Sequence, residues 1–139
     1  MSDACQNTPV ASLMHVAALL QSHLDDAAQS VGITPTQARL LMKLDQPRRL
    51  SDLAEAQSCD PSSITVLVQR LERDGFVARV VDRTDARARP IKLTPKGRKT
   101  RTRFEQLIGD GSSALSDLTD EQRMALSAWF APVSNYSLP

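Results

Sequence analysis

Apolar residues recur at helical spacing through most of the chain. Val10, Leu13, Met14, Ala17, Leu20, Leu24, Ala27 and Val31 fall on one stripe, which predicts a first helix of about five or six turns. Ala38, Leu41 and Leu44 stripe a second helix, and Leu50, Leu53 and Ala54 a short third. Ile64, Leu67, Val68 and Leu71 stripe a fourth, at the i, i+3, i+4, i+7 spacing that buries one face. The period then changes. "FVARVV" (76–81) and "PIKL" (90–93) are short, rich in β-branched residues and separated by polar turn residues, which reads as a two-stranded hairpin. A fifth helix follows Thr94. A sixth runs from about Asp120 to Phe130, with Leu126, Trp129 and Phe130 on one side.

Capping residues punctuate this pattern. Thr34-Pro35-Thr36-Gln37 combines a threonine cap, a proline at the first helical position and a glutamine at the third, a capping box with a proline start. Asp60-Pro61 and Thr94-Pro95 repeat the cap-then-proline order. Thr119-Asp120-Glu121-Gln122 is a second capping box, with two acids in the first turn to suit the helix dipole. Ser51 is the expected cap of the third helix. Gly32 and Gly75 stand just past apolar runs, where helices stop. Gly109 and Gly111 fall in the second half of the fifth helix. At roughly 1 kcal/mol each relative to alanine, they predict a break or kink there.

The chain of 139 residues reads as one domain with enough length for a core. No apolar run approaches membrane-spanning length, and the N-terminus carries no secretion-signal pattern. Cys5 and Cys59 lie far apart with no paired spacing. That argues against a disulfide scaffold or zinc site and suits the cytoplasm. Five aromatic residues are few for a surface that stacks single-stranded nucleic acid. The net charge of +1 conceals a polarity. Residues 1–59 carry four basic against six acidic side chains, residues 60–103 twelve against five, and residues 104–139 one against five. A basic middle between acidic ends is the footprint of a polyanion-binding segment.

A short helix, a turn, a capped helix and a basic hairpin, in that order, make a winged helix-turn-helix. The expected fold is mainly α with a small β-hairpin wing. If Ile64, Leu67, Val68 and Leu71 face the core, the opposite face of the helix from Pro61 to Asp74 shows Ser62, Ser63, Thr65, Val66, Gln69, Arg70 and Arg73, without a carboxylate. Small polar residues allow close approach to a major groove. Ser, Thr and Gln can hydrogen-bond bases or phosphates, and Arg pairs with guanine or phosphate. Arg83, Arg87 and Arg89 on the hairpin are placed for a neighbouring minor groove. Asp85 is expected to order the hairpin by pairing with Arg87. Pro90 lacks an N–H and suits an edge strand.

"DRTDARARPIKLTPKG" (82–97) resembles the wing signature of the MarR family, the multiple-antibiotic-resistance regulators, through Asp82, Asp85, Arg87, Leu93, Thr94 and Gly97. Upstream, "LSDLAEAQSCDPSSITVLVQRLERDGFVARV" resembles the family's helix-turn-helix. The likeness spans about residues 10–131. Ala86 stands where many members have a second arginine, and Pro90 replaces an ordinary strand residue. The resemblance implies a single MarR-like domain over 1–139. Its DNA-binding lobe would cover about 34–97, and helices at about 8–31 and 98–133 would form a dimerisation base. It further implies a homodimeric regulator of transcription, a repressor, that binds a near-palindromic operator in double-stranded DNA. Release would follow binding of a small aromatic or phenolic effector. The apolar stripes of the first and last helices point the same way, being too much apolar surface for a small monomer to expose.

His15 and His23 lie eight residues apart on one face of the first helix and are candidates for effector contact, though structural or surface roles are the plainer expectation. Cys59 precedes the Asp60 cap. It reads first as a small buried residue, and alternatively as a redox-sensitive thiol favoured by the helix dipole. Cys5 falls in the N-terminal tail. The sequence holds no nucleophile–base–acid arrangement, Gly-rich phosphate loop or metal-ligand spacing. An enzyme, a metal site and a cofactor are therefore not expected. The rival functional class is a winged-helix protein-interaction module that binds no DNA.

Overall fold

The computed structural model describes residues 8–57, 59–109 and 117–132. The elements run α1 (Pro9–Ser30), α2 (Pro35–Met42), α3 (Leu50–Ala56), α4 (Pro61–Arg73), β1 (Val77–Arg79), β2 (Ile91–Leu93), α5 (Pro95–Gly109) and α6 (Asp120–Phe130). The fold is mainly helical with one small hairpin. Packing divides it into two compact units. Asp25–Leu107 form one, and the first part of α1 together with α6 belongs to the other.

The Asp25–Leu107 unit is built on local capping and one apolar core. At the start of α2, the Thr34 hydroxyl accepts the Gln37 N–H at 3.2 Å, and Gln37 Oε1 accepts the Thr34 N–H at 2.8 Å. Gln37 is buried, and the cap satisfies its Oε1 and its backbone N–H. The cap of α3 falls two residues before the serine expected to fill that place. Arg49 occupies the cap position, and Asp52 Oδ2 accepts the Arg49 N–H at 3.3 Å. An acid at the third helical position reaches back to the cap N–H, so Ser51 lies inside the first turn. Helix α4 begins at Pro61 after an extended Asp60. The Asp60 carboxylate accepts the Ser63 hydroxyl at 3.0 Å rather than a backbone N–H. Ile64, Val68 and Leu71 are buried, as are Leu40, Leu41 and Leu53.

Helices α1 and α4 both end in glycines with positive φ, 76° at Gly32 and 80° at Gly75. At the end of α4, the Gly75 N–H reaches the Glu72 carbonyl at 3.1 Å and the Phe76 N–H reaches Leu71 at 2.9 Å. This is a Schellman closure, and it turns the chain directly into the hairpin.

Strands β1 and β2 pair antiparallel, Val77 with Leu93, Ala78 with Lys92 and Arg79 with Ile91. Val80 donates to the Pro90 carbonyl at 2.9 Å, but proline cannot donate in return, and the ladder ends there. Ile91 is also bonded on its far side. Its N–H donates to the Arg48 carbonyl at 2.7 Å, and the Arg48 N–H donates to its carbonyl at 2.9 Å. β2 is thus flanked on both sides at Ile91, and Pro90 marks the end of the ladder rather than a free edge. The first turn of α5 clasps the other end. The Thr94 hydroxyl donates to the Gly75 carbonyl at 2.6 Å and accepts the Gly97 N–H at 3.0 Å. Lys96 Nζ donates to the Asp74 carbonyl at 2.7 Å and lies 4.4 Å from the Phe76 ring centroid.

In the other unit, α6 opens with the expected capping box, Thr119 with Gln122. Met124, Trp129 and Phe130 of α6 are exposed in a single chain, as are Val10, Leu13, Met14, Val16 and Leu19 of α1. On α1 only Ala27 and Ala28 are buried. α5 ends at Gly109; the expected break or kink at Gly111 lies outside the described residues, as does Cys5. Among the described residues, no helix is long and apolar enough to cross a membrane.

Candidate nucleic-acid interface

The outward face of α4 is opposite the buried line of Ile64, Val68 and Leu71. Ser62, Ser63, Gln69, Arg70 and Arg73 are exposed on it, and Thr65 is half-buried. Two of its hydroxyls are already engaged locally. Ser63 donates to Asp60, and Thr65 Oγ1 donates to the Pro61 carbonyl at 2.8 Å. Arg73 pairs with its neighbour Asp74 at 3.0 Å, so a carboxylate does stand at the C-terminal end of this face. Arg70 has no acidic partner among the described residues. Val66, 47% exposed, adds an apolar spot of the kind that meets a thymine methyl.

The wing carries Arg83, Arg87 and Arg89, all exposed and without ion pairs among the described residues. Two aspartates shape the arm that presents them. Asp82 Oδ1 accepts the Thr84 hydroxyl at 2.7 Å and the Thr84 N–H at 2.9 Å. These bonds, with a smaller contribution from Arg49, hold the Asp82 carboxyl well below its usual range, at about 2. Asp85 Oδ1 accepts the Arg87 N–H at 3.0 Å. The ion pair expected between Asp85 and the Arg87 guanidinium is not formed. Asp85 bonds to the backbone of that residue, and its charged neighbour is Arg49, 4.0 Å away. A two-residue separation favours the short carboxylate–backbone turn over a long guanidinium folding back on itself. Arg79, at the base of the wing, pairs with Glu72 of α4 at 3.3 Å.

Two concavities adjoin these surfaces. One, about 360 Å³, is lined by Thr34, Thr36, Gln57, Cys59, Ser63, Ile64, Val66, Leu67 and Arg70. The other, about 430 Å³, lies between the first turn of α3 and the wing, lined by Arg49, Leu50, Ser51, Arg79 and Asp85 with Arg87–Arg89. Sequence reasoning missed Thr36 and Arg49 here, because only the fold carries α2 and the α3 cap to α4 and the wing. Cys59 is exposed, correcting the expectation of a buried residue. Its N–H closes the α3–α4 turn on the Ala54 carbonyl at 3.2 Å, and its thiol turns outward, 3.3 Å from the Gln57 carbonyl. His15 is exposed and His23 half-buried on α1. Among the described residues, no group of three or more His, Cys, Asp or Glu side chains could hold a metal ion.

A short helix, a glycine-closed second helix and an arginine-bearing hairpin define a winged helix-turn-helix protein. The profile of the MarR family matches residues 33–88. The HTH-type transcriptional repressor MdtR of Bacillus subtilis is 27% identical over 119 residues, 81% of this chain and 75% of MdtR. The HTH-type transcriptional repressor Rv2887 of Mycobacterium tuberculosis is 31% identical over 98 residues, 69% of this chain and 70% of Rv2887. The crystal structure of Rv2887 in complex with DNA shares the fold at a TM-score of 0.76 and 23% identity, over 93% of this chain and all of that one. The chain belongs to the MarR family of winged helix-turn-helix transcriptional regulators. It is a regulator and not an enzyme.

Proposed function

We propose that this protein is a homodimeric repressor that binds a near-palindromic operator in double-stranded DNA and is released by a small, aromatic or phenolic effector. The observation that carries the DNA reading is a set of exposed arginines that have no ion pair among the described residues. Arg70 stands on the outward face of α4, and Arg83, Arg87 and Arg89 stand on the wing. Ser62, Ser63, Thr65, Gln69 and Arg73 complete the reading face, the engaged hydroxyls of Ser63 and Thr65 exchanging their local acceptors for DNA. Two relatives, MdtR and Rv2887, are transcriptional repressors, and the Rv2887 structure holds DNA, which supports repression and DNA as partner. In a two-fold dimer the two α4 helices would sit about 34–36 Å apart, one turn of B-DNA. The dimer base would be the helices at about 8–31 and 98–133, and the DNA lobe about 34–97. An effector acts by preferring dimers with differently spaced reading heads, and it weakens DNA binding by that preference and no more. The protein would act in the cytoplasm, where its operator lies.

Titration of the purified protein against promoter fragments at several salt concentrations tests this. Each neutralised phosphate contributes about −0.9 to the log–log slope, so a steep loss of affinity with salt is expected. Flat dependence, or no binding to any duplex, would favour a winged-helix module that binds protein instead. A second reading, gating by oxidation, is favoured by the exposed thiol of Cys59 in the concavity that also holds Arg70. Peroxide treatment should then weaken DNA binding in the native chain and not in Cys59→Ser.

A further inference from the structure

The wing arm, residues 81–89, lies beyond the end of the strand ladder at Arg79 and Ile91. Its internal order comes from two carboxylate turns, Asp82 onto Thr84 and Asp85 onto Arg87. Neither turn ties the arm to the helix-turn-helix. That tie comes from a residue 33 positions upstream. Arg49 Nη2 is 3.3 Å from Asp82 Oδ2 and 4.0 Å from Asp85 Oδ2. Each aspartate therefore uses one oxygen for its own turn and presents the other to the same guanidinium. Arg49 itself is fixed from behind. It is the cap residue of α3, with its N–H held by Asp52, and its neighbour Arg48 is bonded through its backbone to Ile91 of β2. Among the described residues, no other side chain from outside the arm bonds to it.

We propose that Arg49 is a positioning residue for the wing: by spanning Asp82 and Asp85 it holds the arm against the first turn of α3 and so fixes where Arg83, Arg87 and Arg89 stand relative to α4. A planar guanidinium suits this task, since it can face two carboxylates at once, whereas an ammonium is a point charge. Arg49 is about half exposed. Exposed ion pairs add little to global stability, so the consequence falls on the place of the arm and not on whether the chain folds. The effect on operator binding rests on the DNA reading above; the effect on the arm does not.

The test uses the full, 15N-labelled chain and its Arg49→Ala and Arg49→Lys variants. Backbone order parameters of Thr84 and Arg87 are expected to fall from roughly 0.8 to below about 0.6 in Arg49→Ala. Those of Val68 and Leu71 in α4 should not change, and neither should the thermal melting curve. Arg49→Lys should lie between. On an operator fragment, Arg49→Ala should bind about tenfold more weakly. At saturation it should lose hydroxyl-radical protection of the flanking minor groove while keeping methylation protection of major-groove guanines. Unchanged order parameters at Thr84 and Arg87 would overturn the positioning role whatever the DNA result. A mobile arm with unaltered affinity and footprint would overturn its consequence for binding. A mobile arm in a protein whose wild type binds no duplex would sink the DNA reading and leave the positioning role standing.

Discussion

Gly97 and Gly75 show two different reasons for the same residue type. A Cβ at Gly97 would collide with the carbonyl of Phe76, because the first turn of α5 rests directly on the α4–β1 turn. A Cβ at Gly75 would find space, its nearest neighbour being Lys96 Cδ at 3.9 Å, but the backbone there has a φ of +80°. Gly75→Ala is expected to destabilise by about 1–2 kcal/mol through the backbone alone. Gly97→Ala should lose about 2–3 kcal/mol, since α5 must move off the turn. Urea unfolding reads both as lower midpoints at constant slope. Asp82 makes a prediction about pH. Its folded value of about 2 lies below the ordinary 3.8. Ionisation therefore favours the folded wing above pH 3.8, and that contribution is lost as pH falls through about 2. The largest cause is the Thr84 hydroxyl. Thr84→Val should raise the midpoint of the Asp82 carboxyl carbon titration, and an unmoved midpoint would refute the assignment.

At the scale of elements, the proposed DNA reading divides the work of recognition between α4 and the wing. Arg70 stands on the helix that would enter the major groove. Arg70→Ala should cost operator binding about tenfold or more, the size of one bidentate base contact, and narrow the gap between operator and random DNA. Arg87 stands on the arm. Arg87→Ala should weaken binding to all sequences alike and reduce the salt slope by about 0.9. Binding curves at four salt concentrations, on operator and scrambled duplexes, separate the two. Equal behaviour of both variants would refute the division. The helices themselves were legible because their signals are local. Thr34 with Gln37, Thr119 with Gln122, and the glycines at 32 and 75 act on groups three to five residues away. The start of α3 was not legible in this way. Ser51 has the better cap propensity, but the carboxylate of Asp52 reaches the Arg49 N–H.

For the whole molecule, the exposed apolar faces of α1 and α6 bear on assembly. Leu13 is 50% exposed and Trp129 76% exposed in one chain. A second copy that covers them explains both faces at once. The chain has a single tryptophan, so its emission reports the event. The wild type should sediment as a dimer with blue-shifted emission. Leu13→Asp should sediment as a monomer, with emission shifted to the red and operator affinity lost. A wild type that is monomeric at micromolar concentration would contradict the dimer.

The sequence by itself determined the order of elements, the capping boxes at Thr34 and Thr119, the glycine stops, the short second strand at Pro90 and the basic character of residues 60–103. Each of these depends on near neighbours or on composition, so no knowledge of the packing is needed to read it. The tertiary structure alone decided that Cys59 faces outward, that Asp85 bonds to the Arg87 backbone while facing Arg49, that Ile91 is bonded on both sides, and that Gly97 has no room for a side chain. These depend on which distant segments meet. A guanidinium 33 residues from its carboxylate leaves no periodic trace in a sequence, because any of the chain's arginines could have met Asp82 until the core of Leu41, Leu53, Val68 and Ile91 brought this one to it.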